Sequence, residues 1–416
     1  MMKRVVITGL GAITPIGKNV THYWKNLLNG ISGANKITRF DSTNFKTQFA
    51  CEIKEYDVLD YFGRKEARKL DRYSQYGLIS TEEAIKDAKL EFSTLNTNRI
   101  GVIFSSGIGG FETFENEVIE YTKNDFNPRF NPFFIPKIIA NGLSGMISIK
   151  YGLRGVNYTP VTACASSTQS IIQAFNYIRL EKADIIITGG SEAPITQASI
   201  GGFNAMKAMS TNNTNYITAS KPFDTNRDGF VVGEGAGTLI IESLDSALKR
   251  NANIYAEIIG GGETSDAYHI TGTHPEGLGA YLAMENGIKE AKITPKDIDY
   301  INAHATSTGL GDLSEIKAIE KLFQSNINNI QISATKSMTG HLLGATGAIE
   351  AIATCLSVNK DLIPPTINTT KIDENIPNEL NLSLGTKSHK KINYALSNSF
   401  GFGGHCSALI LKKYVG

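Results

Sequence analysis

Short runs of consecutive apolar, β-branched residues recur along the whole chain, and segments with helical periodicity fill the intervals. A run that is apolar at consecutive positions fits a strand covered on both faces, whereas a half-exposed strand would alternate. Val5–Thr8, Ile100–Phe104, Ile185–Thr188, Thr238–Glu242, Ile254–Gly260, Asp299–Ala303, Ile330–Ser333 and Tyr394–Asn398 read as such strands. Thr81–Ala88, Ser166–Leu180, Ala280–Lys292, Asp312–Phe323 and Ala345–Val358 read as helices. Within Ser166–Leu180, Ile171, Phe175 and Ile178 fall at i, i+4 and i+7 on one face. The pattern predicts an α/β protein of layered sheets and helices.

Nothing of low complexity divides the 416 residues. Gly260-Gly261-Gly262 is the one plausible seam, and on each side of it a strand, a turn of small residues and a helix follow one another. Thr162-Ala163-Cys164-Ala165-Ser166-Ser167 opens one such helix and Thr339-Gly340-His341-Leu342-Leu343-Gly344 another. This faint self-similarity predicts two halves of like topology, each presenting a reactive residue at a helix N-terminus.

Charge excludes some functions. Lys+Arg is 41 and Asp+Glu is 40, a net +1, so nothing draws the chain globally to nucleic acid or membrane. The four cysteines lie far apart without CxxC or zinc-ligand spacing, which argues against a disulfide framework and for a reducing compartment. The apolar run after Lys3-Arg4 breaks too soon for a signal peptide, and no stretch approaches the roughly 20 apolar residues of a membrane span. A cytoplasmic protein is expected.

Three glycine-rich segments fail as nucleotide motifs. Gly9-Leu10-Gly11 is interrupted by Pro15 and Gly17 where a helix should begin, and Gly233-Glu234-Gly235-Ala236-Gly237 runs into a strand. Gly107-Ile108-Gly109-Gly110 lacks the Lys-Ser/Thr of a P-loop. Cys164 is different: it lies between alanines, after a strand and at a helix start. Free N–H groups and the positive dipole end there favour a thiolate and predict a lowered pKa. The same N–H groups can hold an oxyanion. Cys51, Cys355 and Cys406 lack that setting and read as structural. Among the histidines, His304 and His341 stand in small-residue turns after strands, His341 five residues beyond Lys336.

Four ordered motifs carry a family resemblance: Thr162-Ala163-Cys164-Ala165-Ser166-Ser167, Asn302-Ala303-His304-Ala305-Thr306-Ser307-Thr308, Lys336-Ser337-Met338-Thr339-Gly340-His341 and Asn398-Ser399-Phe400-Gly401-Phe402-Gly403-Gly404. From Val5 to Lys412 the chain resembles the Cys-His-His β-ketoacyl-acyl-carrier-protein synthases, and among them the elongating synthase II type. The resemblance implies a thiolase fold: duplicated βαβαβαβαββ halves, residues 1–255 with Cys164 and 256–416 with His304, Lys336 and His341, in a five-layer αβαβα sandwich, as a homodimer. It implies a decarboxylative Claisen condensation with acyl- and malonyl-carrier protein as partners and no metal or organic cofactor.

By the same resemblance Cys164 is the nucleophile and the N–H groups of Cys164 and Phe402 form the oxyanion hole. His304 and His341 hold the malonyl thioester carbonyl, while Lys336, partnered by Glu350, orders the charges. Thr306 and Thr308, with Thr271, bind the pantetheine arm. Phe400 and Phe402 gate the acyl pocket, and Ile108 lines it. Arg64, Lys65, Arg68, Lys69 and Arg72, read as one basic helix face, dock the acidic carrier protein, with Arg129 and Lys137 extending the patch. Gly309, Ala305 and Cys406 depart from the family pattern, Cys406 standing where Asn is common.

Three alternatives compete with this reading. A thiolase would need a second cysteine in a Cys-x-Gly turn, and Cys406 is followed by Ser407-Ala408. A ketosynthase of polyketide or aryl-polyene synthesis would carry the same motifs. A non-catalytic partner subunit would lack Cys164.

Overall fold

The computed structural model describes residues 2–416 and bears out the layered α/β reading. The first half contributes strands β1 (Val5–Ile13), β2 (Ile100–Ser105), β3 (Asn157–Tyr158), β4 (Ile185–Glu192) and β5 (Gly235–Ser243). The second contributes β6 (Ala256–Ser265), β7 (Tyr300–Asn302), β8 (Gln331–Ser333), β9 (Tyr394–Gly401) and β10 (His405–Lys412). The principal helices are α1 (Arg72–Asp87), α2 (Phe111–Lys123), α3 (Gly142–Tyr151), α4 (Ser166–Arg179), α5 (Leu278–Ala291), α6 (Gly309–Phe323) and α7 (Thr346–Lys360).

Strand order reveals the duplication. The first half runs β3-β2-β4-β5-β1 and the second β8-β7-β9-β10-β6, with the same alternation of parallel and antiparallel neighbours. The two sheets join at one edge, where β1 pairs antiparallel with β6 from Val5↔Ile258 to Ile7↔Ala256. Each half contains the string βαβαβαββ, and in the second half a further short strand, Asn381–Leu382, extends the sheet beyond β8. The glycine triplet is no seam either: it lies inside β6, paired with β10 at Ile410, Leu409 and Ala408. Strand β10 itself is an addition to the sequence reading.

Helices α4 and α7 lie between the two sheets, with α1 and α3 outside one and α5 and α6 outside the other, which makes five layers. A helix with no polar face belongs in such a central position. Every residue of α7 from Thr346 to Val358 is buried. Its partner α4 buries hydroxyls as well, and these find partners. Ser167 Oγ accepts from the Ala348 N–H at 2.9 Å, and Thr168 and Ser399 hydroxyls pair at 2.7 Å. Buried polar groups so satisfied fix the register of the two central helices. No helix among the described residues is long and apolar enough to cross a membrane.

Candidate active site

The parallel strands β7, β8 and β9 end side by side, and the loops leaving their C-terminal ends face the turn that opens α4. Crevices beyond strand C-termini are where α/β sheets hold ligands. One cavity of about 430 Å³ opens here, and Cys164, His304, His341, Thr306, Thr308, Thr271, Phe400, Phe402 and Ile108 all line it.

Cys164 sits in a single 3₁₀ turn, Ala163–Ala165, before α4. Ala163 adopts φ +50°, a left-handed conformation unusual for a residue with a Cβ. The second half repeats the turn: Leu343 has φ +47°, and Leu343–Ala345 opens α7. The counterpart of Cys164 is therefore Gly344, and His341 stands before that turn, a correction to the expectation of two reactive residues at helix starts. Gly401 lets the Phe400–Phe402 loop reach the cysteine, since a Cβ there would lie 2.6 Å from Thr162 O and 2.9 Å from Cys164 N.

The expected thiolate is not the resting state. Burial pushes the Cys164 thiol up to about 12. The Lys336 ammonium pulls against this, as do the backbone N–H groups of Phe402 and of Cys164 itself. A helix end contributes about 0.3–2 kcal/mol, less than a buried anion loses on leaving water.

His304 and His341 meet edge to face with ring centroids 5.5 Å apart, and Phe400 and Phe230 flank them at the same spacing. Burial, and then the nearby Lys336, hold both imidazoles well below their ordinary range, so each is neutral at physiological pH. His341 Nδ1 pairs with Thr346 Oγ1 at 3.0 Å. The His341 backbone is pinned to the first half, donating to Val231 O at 2.7 Å and accepting from Gly233 N–H at 2.9 Å. Lys336 and Glu350 stay behind the cavity wall, fully buried, with Nζ donating to Oε1 and Oε2 at 2.8 and 2.9 Å.

Thr306 and Thr308 hydroxyls pair at 3.0 Å along the channel. Buried Arg227 fixes that stretch by donating to Thr308 O at 3.1 Å and Gly309 O at 2.8 Å. Thr271 is exposed on the loop after β6, which Gly403 N–H ties to the Phe400 loop by donating to Ile270 O at 2.7 Å.

The basic residues do not form one helix face. Arg64–Ala67 is a helix of four residues, and the carboxylate of Asp71 caps a new helix at Arg72 by accepting the Tyr73 N–H. Arg72 is paired in bidentate fashion with Glu112 at 2.8 and 3.1 Å and is not a free cation. Arg64, Lys65, Arg68, Lys69 and Arg129 are exposed, outside the cavity, and Lys137 lines a separate small cleft with Arg72 and Glu112.

Sequence reasoning missed Glu315. Its carboxylate accepts the backbone N–H groups of His304 and Ala305, both at 2.8 Å, and the Asn398 side-chain amide at 2.9 Å. A signal existed: Asp312, Glu315, Ile316, Ile319 and Phe323 share the buried face of α6, so two carboxylates sit on an apolar stripe. Phe203, Met206, Lys207 and Leu310 at the cavity also went unread.

A duplicated five-layer fold with a cysteine heading a central helix is that of the thiolase-like condensing enzymes. The comparisons narrow this. Family models described as beta-ketoacyl synthase, N-terminal domain and C-terminal domain match residues 2–247 and 255–370. The chain belongs to the beta-ketoacyl synthase family. It is 48% identical to 3-oxoacyl-[acyl-carrier-protein] synthase 2 of Staphylococcus aureus (strain COL) across 99% of both chains. Against the Synechocystis protein of the same name identity is 45%, covering 99% of this chain and 98% of that one. A beta-ketoacyl synthase from Burkholderia phymatum superposes over the full length of both chains with a TM-score of 0.92 at 30% identity. A type II polyketide ketosynthase solved with its acyl-carrier protein does so with 0.91 at 32%.

Proposed function

We propose that this chain is a 3-oxoacyl-acyl-carrier-protein synthase of the elongating type, adding two carbons to a fatty acyl chain by decarboxylative condensation. The observation that carries this reading is the Cys164 thiol on the cavity wall beside two backbone N–H groups and two neutral imidazoles. Higher identity to the synthase 2 relatives than to the polyketide ketosynthase favours fatty acid over polyketide substrates.

In the first half-reaction Cys164 loses its proton to a neutral imidazole, and its sulfur attacks the acyl thioester carbon. The N–H groups of Cys164 and Phe402 hold the tetrahedral oxyanion until the carrier thiol leaves with that proton. In the second, the bond to the malonyl carboxylate breaks and CO2 departs. The electron pair moves onto the thioester oxygen, where the imidazole N–H groups of His304 and His341 stabilise the enolate. The enolate carbon then attacks the acyl-cysteine, and the Cys164 sulfur leaves as a thiolate and takes up one proton from solvent, replacing the one that left with the carrier thiol. Burial, reinforced by Lys336, keeps both imidazoles neutral, so they donate one hydrogen bond each without carrying charge. Phe400 and Phe402 gate the acyl pocket lined by Ile108, and Thr271, Thr306 and Thr308 guide the pantetheine arm. The protein acts as a cytoplasmic homodimer that meets its carrier protein through the exposed Arg64, Lys65, Arg68, Lys69 and Arg129.

The direct test supplies acyl- and malonyl-carrier protein and follows the elongated 3-oxoacyl product together with one CO2. Absence of that product rejects the reading. His304→Ala should lower decarboxylation about 10²–10³-fold, as expected for the loss of one donor to a developing oxyanion. It should change acylation of Cys164 by less than about tenfold. Equal loss in both steps, read by CO2 release and by intact mass, would contradict the enolate role. Charge reversal at Arg68 and Lys69 should raise KM for carrier-bound substrate about 3–10-fold at low salt, and high salt should erase the difference. A KM that stays at the wild-type value at low salt would remove these residues from the docking surface.

A further inference from the structure

Glu192 ends β4 completely buried, and no basic group among the described residues lies within ion-pair distance of it. Four donors hold it instead. Oε1 accepts from Ser106 Oγ at 2.8 Å and Ile108 N–H at 3.2 Å, and Oε2 from Gly107 N–H at 2.7 Å and Gly344 N–H at 2.9 Å. A buried carboxylate with its lone pairs so filled is a strong local constraint. Its donors come from two turns that meet at the cavity. One carries Ile108, which lines the cavity and is 36% exposed; the other leads from His341 into α7. The turns touch so closely that neither can carry a side chain at the junction. A Cβ on Gly344 would lie 2.3 Å from Gly107 N and 2.6 Å from Glu192 Oε2, and one on Gly107 would lie 2.8 Å from the same oxygen.

The duplication sharpens the point. At the head of α4 the turn N–H faces the Cys164 sulfur, while at the matching place in the second half the Gly344 N–H is filled by the protein's own carboxylate. One helix-head turn serves substrate and the other is tied to the cavity wall.

We infer that Glu192 is a positioning residue for chain-length selection, fixing the Ile108 wall against the His341 turn and so setting the width of the acyl space beside Cys164. This rests on the acyl-cysteine reading above. Glu192→Gln tests it, because an amide has only one accepting oxygen. With that oxygen toward Gly107 and Gly344, the amide nitrogen can still donate to Ser106, but the Ile108 N–H is left unpaired and the wall turn is released first. The measurement is acyl-adduct formation on Cys164 from octanoyl- and hexadecanoyl-carrier protein, by intact mass. The long-to-short rate ratio should rise about threefold or more, within the range one pocket contact controls. Gly344→Ala keeps the carboxylate in the chain but wedges the Gly344 turn away from both Gly107 N and Glu192 Oε2, and it should raise the same ratio. If both variants melt as cooperatively as wild type and keep the wild-type ratio, or slow both chains by one common factor, the inference is overturned. A wild-type protein that forms no adduct from either chain fails at the acyl-cysteine reading instead and takes this inference down with it.

Discussion

Cys164→Ala should form no acyl adduct and should lose condensation by roughly 10⁴-fold or more, the scale on which removal of a nucleophile acts. Decarboxylation of malonyl-carrier protein should survive. The thiol is not needed to break the bond to CO2, and alanine keeps the backbone N–H at position 164. Folding should change little, because the thiol is small and lines the open cavity, so removing it leaves no buried void. Intact mass after incubation with acyl-carrier protein, CO2 release from malonyl-carrier protein and a thermal melt read the three outcomes separately. An adduct persisting in the alanine variant would move the nucleophile to Cys51, Cys355 or Cys406, each of them buried. Loss of decarboxylation together with condensation would mean that Cys164 takes part in enolate formation.

The cysteine was legible because its signal is local: alanines, a strand before and a helix after. Its ionisation was not, because burial is a property of the assembled cavity, and burial outweighs the helix end. The duplicated topology was legible in outline from the order of strand, small-residue turn and helix. The glycine triplet misled as a seam because glycines inside a strand mark close approach of another element as readily as a break. In β6, a Cβ at Gly262 would collide with the α5 backbone at Ala283 O, 1.8 Å away. The basic run Arg64–Arg72 misled for the opposite reason. Periodicity alone extends one helix through Asp71, yet an aspartate before an apolar-periodic stretch is also a helix start, and here the start won. Carboxylates were the least legible of all. Glu192 and Glu315 look like surface residues by type, and only the turns they gather from distant parts of the chain make them interior.

The Lys336–Glu350 pair should give the largest effect on stability, with a pH dependence that identifies it. Both groups are fully buried, and Thr335 Oγ1 also donates to Glu350 Oε1 at 3.1 Å. Burial pushes the Glu350 carboxyl up to about 7 even though Lys336 pulls it down. Lys336→Met removes that pull and leaves the carboxylate without a countercharge, which should cost about 3–5 kcal/mol at neutral pH. The sign follows from proton binding. A carboxyl whose pKa is raised in the folded state holds its proton there after the unfolded chain has released it. Stability of the Met variant therefore falls as pH rises from near 4.5 through and beyond 7, and is recovered in acid. Urea unfolding of wild type and variant at several pH values checks this, and a difference that grows toward acid would refute it. Glu350→Gln should cost a similar amount by stranding the ammonium, while the double variant Lys336→Met with Glu350→Gln should regain most of the loss, because no buried charge then lacks a partner. Activity should not return with stability. Lys336 is one of the groups that hold His304 and His341 low and pull the Cys164 thiol down from its buried value. Without it the imidazoles protonate at higher pH, and the acid limb of the condensation rate should move upward even in the refolded double variant. Coincident pH profiles for wild type and the double variant would confine Lys336 to a structural part.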